Sequence, residues 1–207
     1  VIHSPLRPLF FTNTNKSPRP PLTNRPFQLI VVSRFVPEKN IPFVFGVFKH
    51  LPATMQLTLV GYGSDYEALK ITAFNTLQLP RERVRFVHKP PQEELLHLYR
   101  TADLFIFPSQ TDTQGLVLAE AMSLGLPVVA LDGPGQRDII RNGINGFIVN
   151  NAQEAAATIK KIAKNRLFHT KLSSNACITA QNYHLEPILD QLISFYNTTP
   201  HSTPVAL

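Results

Sequence analysis

Leu104-Phe105-Ile106-Phe107-Pro108-Ser109-Gln110-Thr111-Asp112-Thr113-Gln114-Gly115-Leu116-Val117-Leu118-Ala119-Glu120-Ala121-Met122 is the stretch that decides the fold. Four apolar residues in a row suit a strand buried on both faces, which is the environment of a parallel sheet. A polar loop follows, and then a helical run opens near Gly115. Strand, polar loop and helix in that order form the first half of a crossover unit.

Working outward, the same alternation recurs. Short apolar runs fall at 29–32, 56–60, 84–87, 104–107, 127–130 and 147–149, with helical patterns near 40–50, 64–78, 92–101, 115–125 and 135–141. Helices between buried strands predict an α/β fold, a doubly wound parallel sheet of Rossmann-like type with right-handed crossovers. Residues 151–182 read as one helix, entered at Asn151 with Glu154 three positions on as a capping pair. In 185–196, Leu185, Ile188, Leu189, Leu192, Ile193 and Tyr196 share one helical face.

The division expected is an arm over 1–26, a nucleotide-binding domain over 27–182, and a C-terminal helix and tail over 183–207. The arm holds six of the 18 prolines and four cations (Arg7, Lys16, Arg19, Arg25) without an acid. Such a segment is mobile unless a partner holds it. The rest carries 16 basic and 14 acidic side chains, so the overall +6 is weak support for a nucleic-acid partner and none is expected. The arm's cations leave room for peripheral contact with an anionic membrane. One cysteine, Cys177, excludes an internal disulfide. None of the seven histidines forms a pair at metal-binding helical spacing, so no metal is expected. With no apolar run of bilayer length and no leader pattern, the expected location is cytoplasmic. The first residue is Val1 rather than Met, so a piece of a longer protein is expected.

Ligands of open parallel sheets bind beyond the carboxyl ends of the strands, so the residues after each run are the candidates. Ser33-Arg34-Phe35-Val36-Pro37-Glu38-Lys39 places two cations in a tight loop. They either grip phosphate or are solvated, with Lys39 paired to Glu38. Gly61-Tyr62-Gly63 lacks the third glycine of a dinucleotide fingerprint and reads as a tight turn, with Ser64 or Asp65 as helix cap. Arg83 and Arg85 read as a solvated strand edge. His88-Lys89 fits either a base or phosphate contact or a surface loop. At Gly115 the absent Cβ lets a ligand approach the helix N–H groups. Glu120 sits among apolar residues and needs a partner, for which a ribose diol is suited. The alternative is Asp112 or Thr113 as a cap and Glu120 on the surface.

In order, Val-Ser-Arg-Phe-Val-Pro-Glu-Lys, Leu-Val-Gly-Tyr-Gly-Ser and the 108–130 block resemble the C-terminal, donor-binding half of retaining glycosyltransferases of the GT-B architecture, group 1 (family 4). The resemblance covers 28–165. The Thr-Asp-Thr-Gln-Gly wording further resembles enzymes that place a hexose on diacylglycerol. This implies transfer of a hexosyl group from a UDP- or GDP-type nucleotide sugar to a lipid or glycan acceptor, without a bound metal. Arg34 and Lys39 would hold the diphosphate. Asp112 would contact the sugar, and Gln114, Gly115, Leu116 and Val117 would lie against sugar and phosphates. Glu120 would take the ribose, with His88 and Lys89 near the base.

Three departures stand out. Ser33 and His88 replace glycines that are common in the family, and Asp112 is one methylene shorter than the usual glutamate. The N-terminal acceptor domain is absent, so the chain alone is expected to be inactive, with its last helix returning to that missing half. A non-catalytic nucleotide-binding or interaction module, and an epimerase or phosphorylase of the same architecture, stay open as alternatives.

Overall fold

The computed structural model describes residues 4–12 and 25–198. Six strands form one all-parallel sheet: β1 (Phe27–Arg34), β2 (Met55–Tyr62), β3 (Val84–His88), β4 (Leu104–Phe107), β5 (Val128–Leu131) and β6 (Gly146–Val149). Their spatial order is β3-β2-β1-β4-β5-β6. The chain therefore winds outward from β1 in one direction, then returns to β4 and winds outward in the other. The reversal lies between β1 and β4, whose registers pair Leu29 with Leu104 and Ile30 with Phe105.

Described helices are α1 (Leu9–Thr12), α2 (Ile41–Lys49), α3 (Tyr66–Ile71, continued by a wider turn over Thr72–Thr76), α4 (Gln92–Thr101), α5 (Leu116–Ser123), α6 (Pro134–Ile139), α7 (Ala152–Lys164), α8 (Arg166–Ala180) and α9 (Leu185–Thr198). They cover both faces of the sheet, leaving two apolar cores. One joins Leu29, Val31, Leu57 and Leu59 to Phe45, Phe48 and Ile159. The other joins Ile30, Phe105 and Phe107 to Tyr99, Leu118 and Met122. Alternate residues of β1 thus enter opposite cores, the arrangement that an uninterrupted apolar run predicts.

The 151–182 helix is two helices. Asn165 has extended backbone (φ −121°, ψ 96°) and its side chain accepts the Phe168 N–H at 3.0 Å, so it ends α7 and caps α8. The cap at Asn151 is as expected: its Oδ1 accepts the Glu154 N–H at 2.9 Å, and Glu154 reaches back to the Asn150 N–H at 2.8 Å. At α3 neither Ser64 nor Asp65 caps the helix through its side chain; the two bond to each other at 2.8 Å.

Arg83 is not part of a solvated edge. Its guanidinium donates to the Pro52 and Met55 carbonyls at 2.7 and 3.0 Å and lies over the Phe48 ring, 4.6 Å from the centroid. It ties the edge strand to the α2–β2 loop. Arg85 does face outward, 3.6 Å from Glu94.

The described residues of the arm pack on the domain. Leu6 and Phe10 enter the second core, and the Leu6 N–H donates to the Tyr183 carbonyl at 2.9 Å. Lys16 and Arg19 lie outside the described residues. Arg25 donates to both Asp103 carboxylate oxygens, at 2.5 and 2.7 Å. Asp103 is fully buried and also accepts the Gln28 N–H at 2.8 Å, while its carbonyl meets His169 Nε2 at 2.7 Å. One residue thus joins the start of β1 through its carboxylate and α8 through its carbonyl to the start of β4. Among the described residues no helix is long and apolar enough to cross a membrane. Asp103→Ala should lower the unfolding free energy by about 2 kcal/mol in a urea titration, because a half-buried guanidinium and the Gln28 N–H lose their acceptor; a loss below about 1 kcal/mol would show the pairing to be incidental.

Candidate functional site

At the carboxyl end of the sheet, where the winding reverses, lies a crevice of about 780 Å³. Its floor is Val32, Ser33 and Arg34 of β1, Val60, Gly61 and Tyr62 of β2, and Phe107 of β4. Its walls bring in Lys39, Asp112, Gln114, Gly115, Leu116, Val117, Glu120 and Lys89. Nine of the ten residues singled out from the sequence as catalytic or binding, Arg34 among them, therefore share this space. The tenth of those marked out for binding or catalysis, His88, does not line it. That imidazole packs on the Tyr66 ring, 4.5 Å between centroids.

The glycines near the crevice have mainly steric causes. A Cβ on Gly61 would collide with the Ser33 carbonyl, and one on Gly63 with Phe35 main chain. Gly-x-Gly thus lets β2 lie close to the end of β1, as the turn reading requires. Gly115 has φ +61°, a left-handed conformation that disfavours side chains, and a Cβ there would sit 3.1 Å from the Gly135 carbonyl. Its first demand is conformational; access for a ligand is secondary. The Gly135 N–H in turn donates to the Asp112 carbonyl at 3.0 Å. The loop before α6 therefore buttresses the loop before α5.

Inside α5 the first ladder bonds run from Leu118 and Ala119 to the Gly115 carbonyl. The N–H groups of Leu116 and Val117 precede that ladder, at the positive end of the helix dipole, on the crevice wall. No side chain caps α5. Asp112 instead forms an ion pair with Lys39, Nζ to Oδ1 at 2.6 Å. Lys39 is therefore not the partner of Glu38; Arg34 takes that place, at 3.3 Å and largely exposed. The 3₁₀ turn Pro37–Lys39 ends in left-handed Asn40 (φ 51°) and carries Lys39 across toward the β4 loop.

Glu120, one helical turn further, is neither on the surface nor alone. The Tyr99 hydroxyl of α4 donates to its Oε2 at 3.3 Å. Burial pushes the carboxyl up from 4.5 to about 6; the Tyr99 hydrogen bond and then the charge of Arg7 oppose it only in part. Burial, reinforced by Glu120, holds the Tyr99 hydroxyl well above its ordinary 10, so it stays a donor. Sequence reading missed Tyr99, Arg7 and Phe10. Helical spacing marks Tyr99 as core, and nothing in its neighbours announces a carboxylate from another helix.

A doubly wound domain with its crevice at the winding reversal, walled by cations, helix N–H groups and a desolvated acid, defines the class. The chain belongs to the glycosyl transferases group 1 family, whose model matches residues 13–178. It is 29% identical over 138 residues to an uncharacterised glycosyltransferase of Haemophilus influenzae, covering 65% of this chain and 38% of the relative. It is likewise 29% identical over 152 residues to the amylovoran biosynthesis glycosyltransferase AmsK of Erwinia amylovora, covering 68% of this chain and 37% of that one. Among solved structures, HepE of Anabaena in complex with UDP-glucose superposes with a TM-score of 0.74 at 26% identity, over 86% of this chain and 50% of HepE. The chain thus spans half or less of the length of these relatives.

The raised Glu120 carboxyl sets a stability trend. The unfolded group ionises near 4.5 and the folded one near 6, so between them the folded state holds more protons. Stability is then lost as pH rises through that window. Glu120→Gln should melt higher than the wild type at pH about 7.5, with the gap closing below pH about 4.5. Melting curves across this range check it; a gap independent of pH would contradict the burial argument.

Proposed function

We propose that this chain is the donor-binding half of a retaining hexosyltransferase, and that the crevice holds a nucleotide sugar of UDP or GDP type. What supports this is the convergence of Lys39, Arg34, the α5 N–H groups and Glu120 on one space at the winding reversal. Glu120 takes the ribose hydroxyls. Lys39 and the N–H groups of Leu116 and Val117 take the diphosphate, with the more exposed Arg34 assisting. In transfer, the anomeric C–O bond to the diphosphate breaks, one to an acceptor hydroxyl oxygen forms on the same face, and the hydroxyl's proton passes to the departing diphosphate oxygen. Charge grows on the departing diphosphate, and fixed donors at that place lower the barrier.

Asp112 stands next to Lys39 and faces the sugar end. Its ion pair with Lys39 engages the cation that the diphosphate needs. Binding therefore exchanges an internal acceptor for an external one, and the freed carboxylate becomes available to sugar hydroxyls. The acceptor is a lipid or a glycan, met by the half of the relatives that this chain does not span. The apolar residues Leu185, Leu189 and Ile193 of α9, each exposed by more than two-fifths, are the return contact to that half.

Calorimetry with UDP, GDP and ADP on this chain tests the reading. One of the first two should bind, and Lys39→Ala and Glu120→Ala should each weaken it about 10-fold, the worth of a charge-assisted hydrogen bond. Arg85→Ala, outside the crevice, should leave it unchanged. Absence of binding at millimolar nucleotide, or equal losses in all three variants, would remove the nucleotide-sugar assignment and favour a module that has kept only the fold.

A further inference from the structure

The segment 4–12 is fastened to the domain beside the crevice in three independent ways. Leu6 and Phe10 are each only 6% exposed, and Phe10 meets the Tyr99 ring edge-on with centroids 6.4 Å apart. The Leu6 N–H is bonded to the Tyr183 carbonyl at 2.9 Å. Ser4 Oγ donates to Gln114 Oε1 at 3.1 Å, on the loop that precedes α5. Between the two apolar anchors Arg7 is exposed, and with Phe10 it lines the same crevice as Glu120. The segment is thus a strap along one wall, with a single cation facing the site.

We propose that Arg7 is a positioning residue of this crevice, facing Glu120 from the strap and aiming its carboxylate at a vicinal diol. The proposal rests on the nucleotide-sugar reading above and adds a residue to it. A carboxylate offers about four acceptor positions. Tyr99 occupies one, at Oε2, and a ribose diol needs two more from a charged group. A protonated carboxyl would itself donate and would meet the diol's hydrogens with one acceptor fewer.

Burial drives Glu120 toward that protonated form, and two groups restrain it: Tyr99 on α4 and Arg7 on the strap. α6 and α8 also pack on α5 and carry Arg137, Asp138, Arg166, His169 and Lys171. None of these is among the causes of the Glu120 displacement. Tyr99 is locked in the core, so the strap carries the adjustable charge. Because the strap is held through Leu6, Phe10 and Ser4 rather than through Arg7, the side chain can be exchanged without releasing the segment.

The test uses the full chain and its Arg7→Ala and Arg7→Lys variants. Carbon NMR of the Glu120 carboxyl across pH, without ligand, should show the midpoint near 6 rising by about half a unit or more in Arg7→Ala and returning most of the way in Arg7→Lys. UDP calorimetry should show the acid limb of binding moving by the same amount. Affinity at pH about 6 would fall about twofold in Arg7→Ala, approach a threefold loss at pH about 5, and converge with the wild type by pH about 8. 2′-Deoxy-UDP should respond less. An unmoved midpoint, or a loss of affinity equal at all pH, would overturn the proposal. A moved midpoint in a wild type that binds neither UDP nor GDP would instead remove the nucleotide reading, leaving the charge coupling without a diol to serve.

Discussion

The site depends on a constraint of chain geometry more than on any side chain. A right-handed crossover fixes which face of the sheet each connecting helix covers. In this chain the sheet grows from β1 through β2 to β3 and then resumes at β4, on the other side of β1. The elements leaving β1 and β4 then pass to opposite faces, and the space between them cannot be closed by either. Arg34 and Lys39 reach that space from one side and Asp112 through Glu120 from the other. The Arg25–Asp103 pair holds the opposite ends of the same two strands, so the spacing of the crevice is fixed from below.

Placing a carboxylate in such a space has a cost. Glu120 is displaced toward protonation by its burial, and neither Tyr99 nor the Arg7 charge fully offsets this. A residue selected for stability alone would be apolar there, as Leu118, Ala119, Ala121 and Met122 around it are. On the nucleotide-sugar reading, the acid displaced by its burial is the one that presents acceptors to a diol. Tyr99 shows how the tolerance is arranged: its ring belongs to the core and only its hydroxyl serves the carboxylate.

The sheet was legible because burial on both faces writes itself into the central strands β1, β4 and β5 as apolar runs, and burial of one face into β2 and β3 as alternation. All six were readable, and with them the ends beyond which ligands bind. Local chemistry was legible too: Asn151 and Glu154 announce a cap by their spacing. Asn165 had the same capacity but sits inside an apparently continuous helical pattern, so the break between α7 and α8 was not separable from its surroundings. What escaped are pairings between elements distant in sequence. Lys39 has Glu38 beside it and chooses Asp112, seventy-three positions away, because the 3₁₀ turn aims it across the crevice. Arg83 alternates as an edge residue and is held by carbonyls of another loop. Arg7 looked like part of a polar, proline-rich lead-in, whereas Leu6 and Phe10, four apart, form the short apolar face that binds it down.

The charges lining the crevice carry the argument one step further. Arg7, Arg34, Lys39 and Lys89 face it along with the carboxylates of Asp112 and Glu120. On the nucleotide-sugar reading, the surplus of cations roughly offsets the charge of a diphosphate diester. Cleavage of the sugar converts that diester into a nucleoside diphosphate with more negative charge, developed at the oxygen that leaves. The Lys39–Asp112 pair then acts as a buffer. Before binding, Asp112 keeps Lys39 from standing uncompensated among low-dielectric walls; after cleavage, Lys39 has a stronger anion to serve. Stabilisation is greatest when the leaving charge is greatest, which is the condition for binding energy to lower a barrier instead of deepening the well of the substrate.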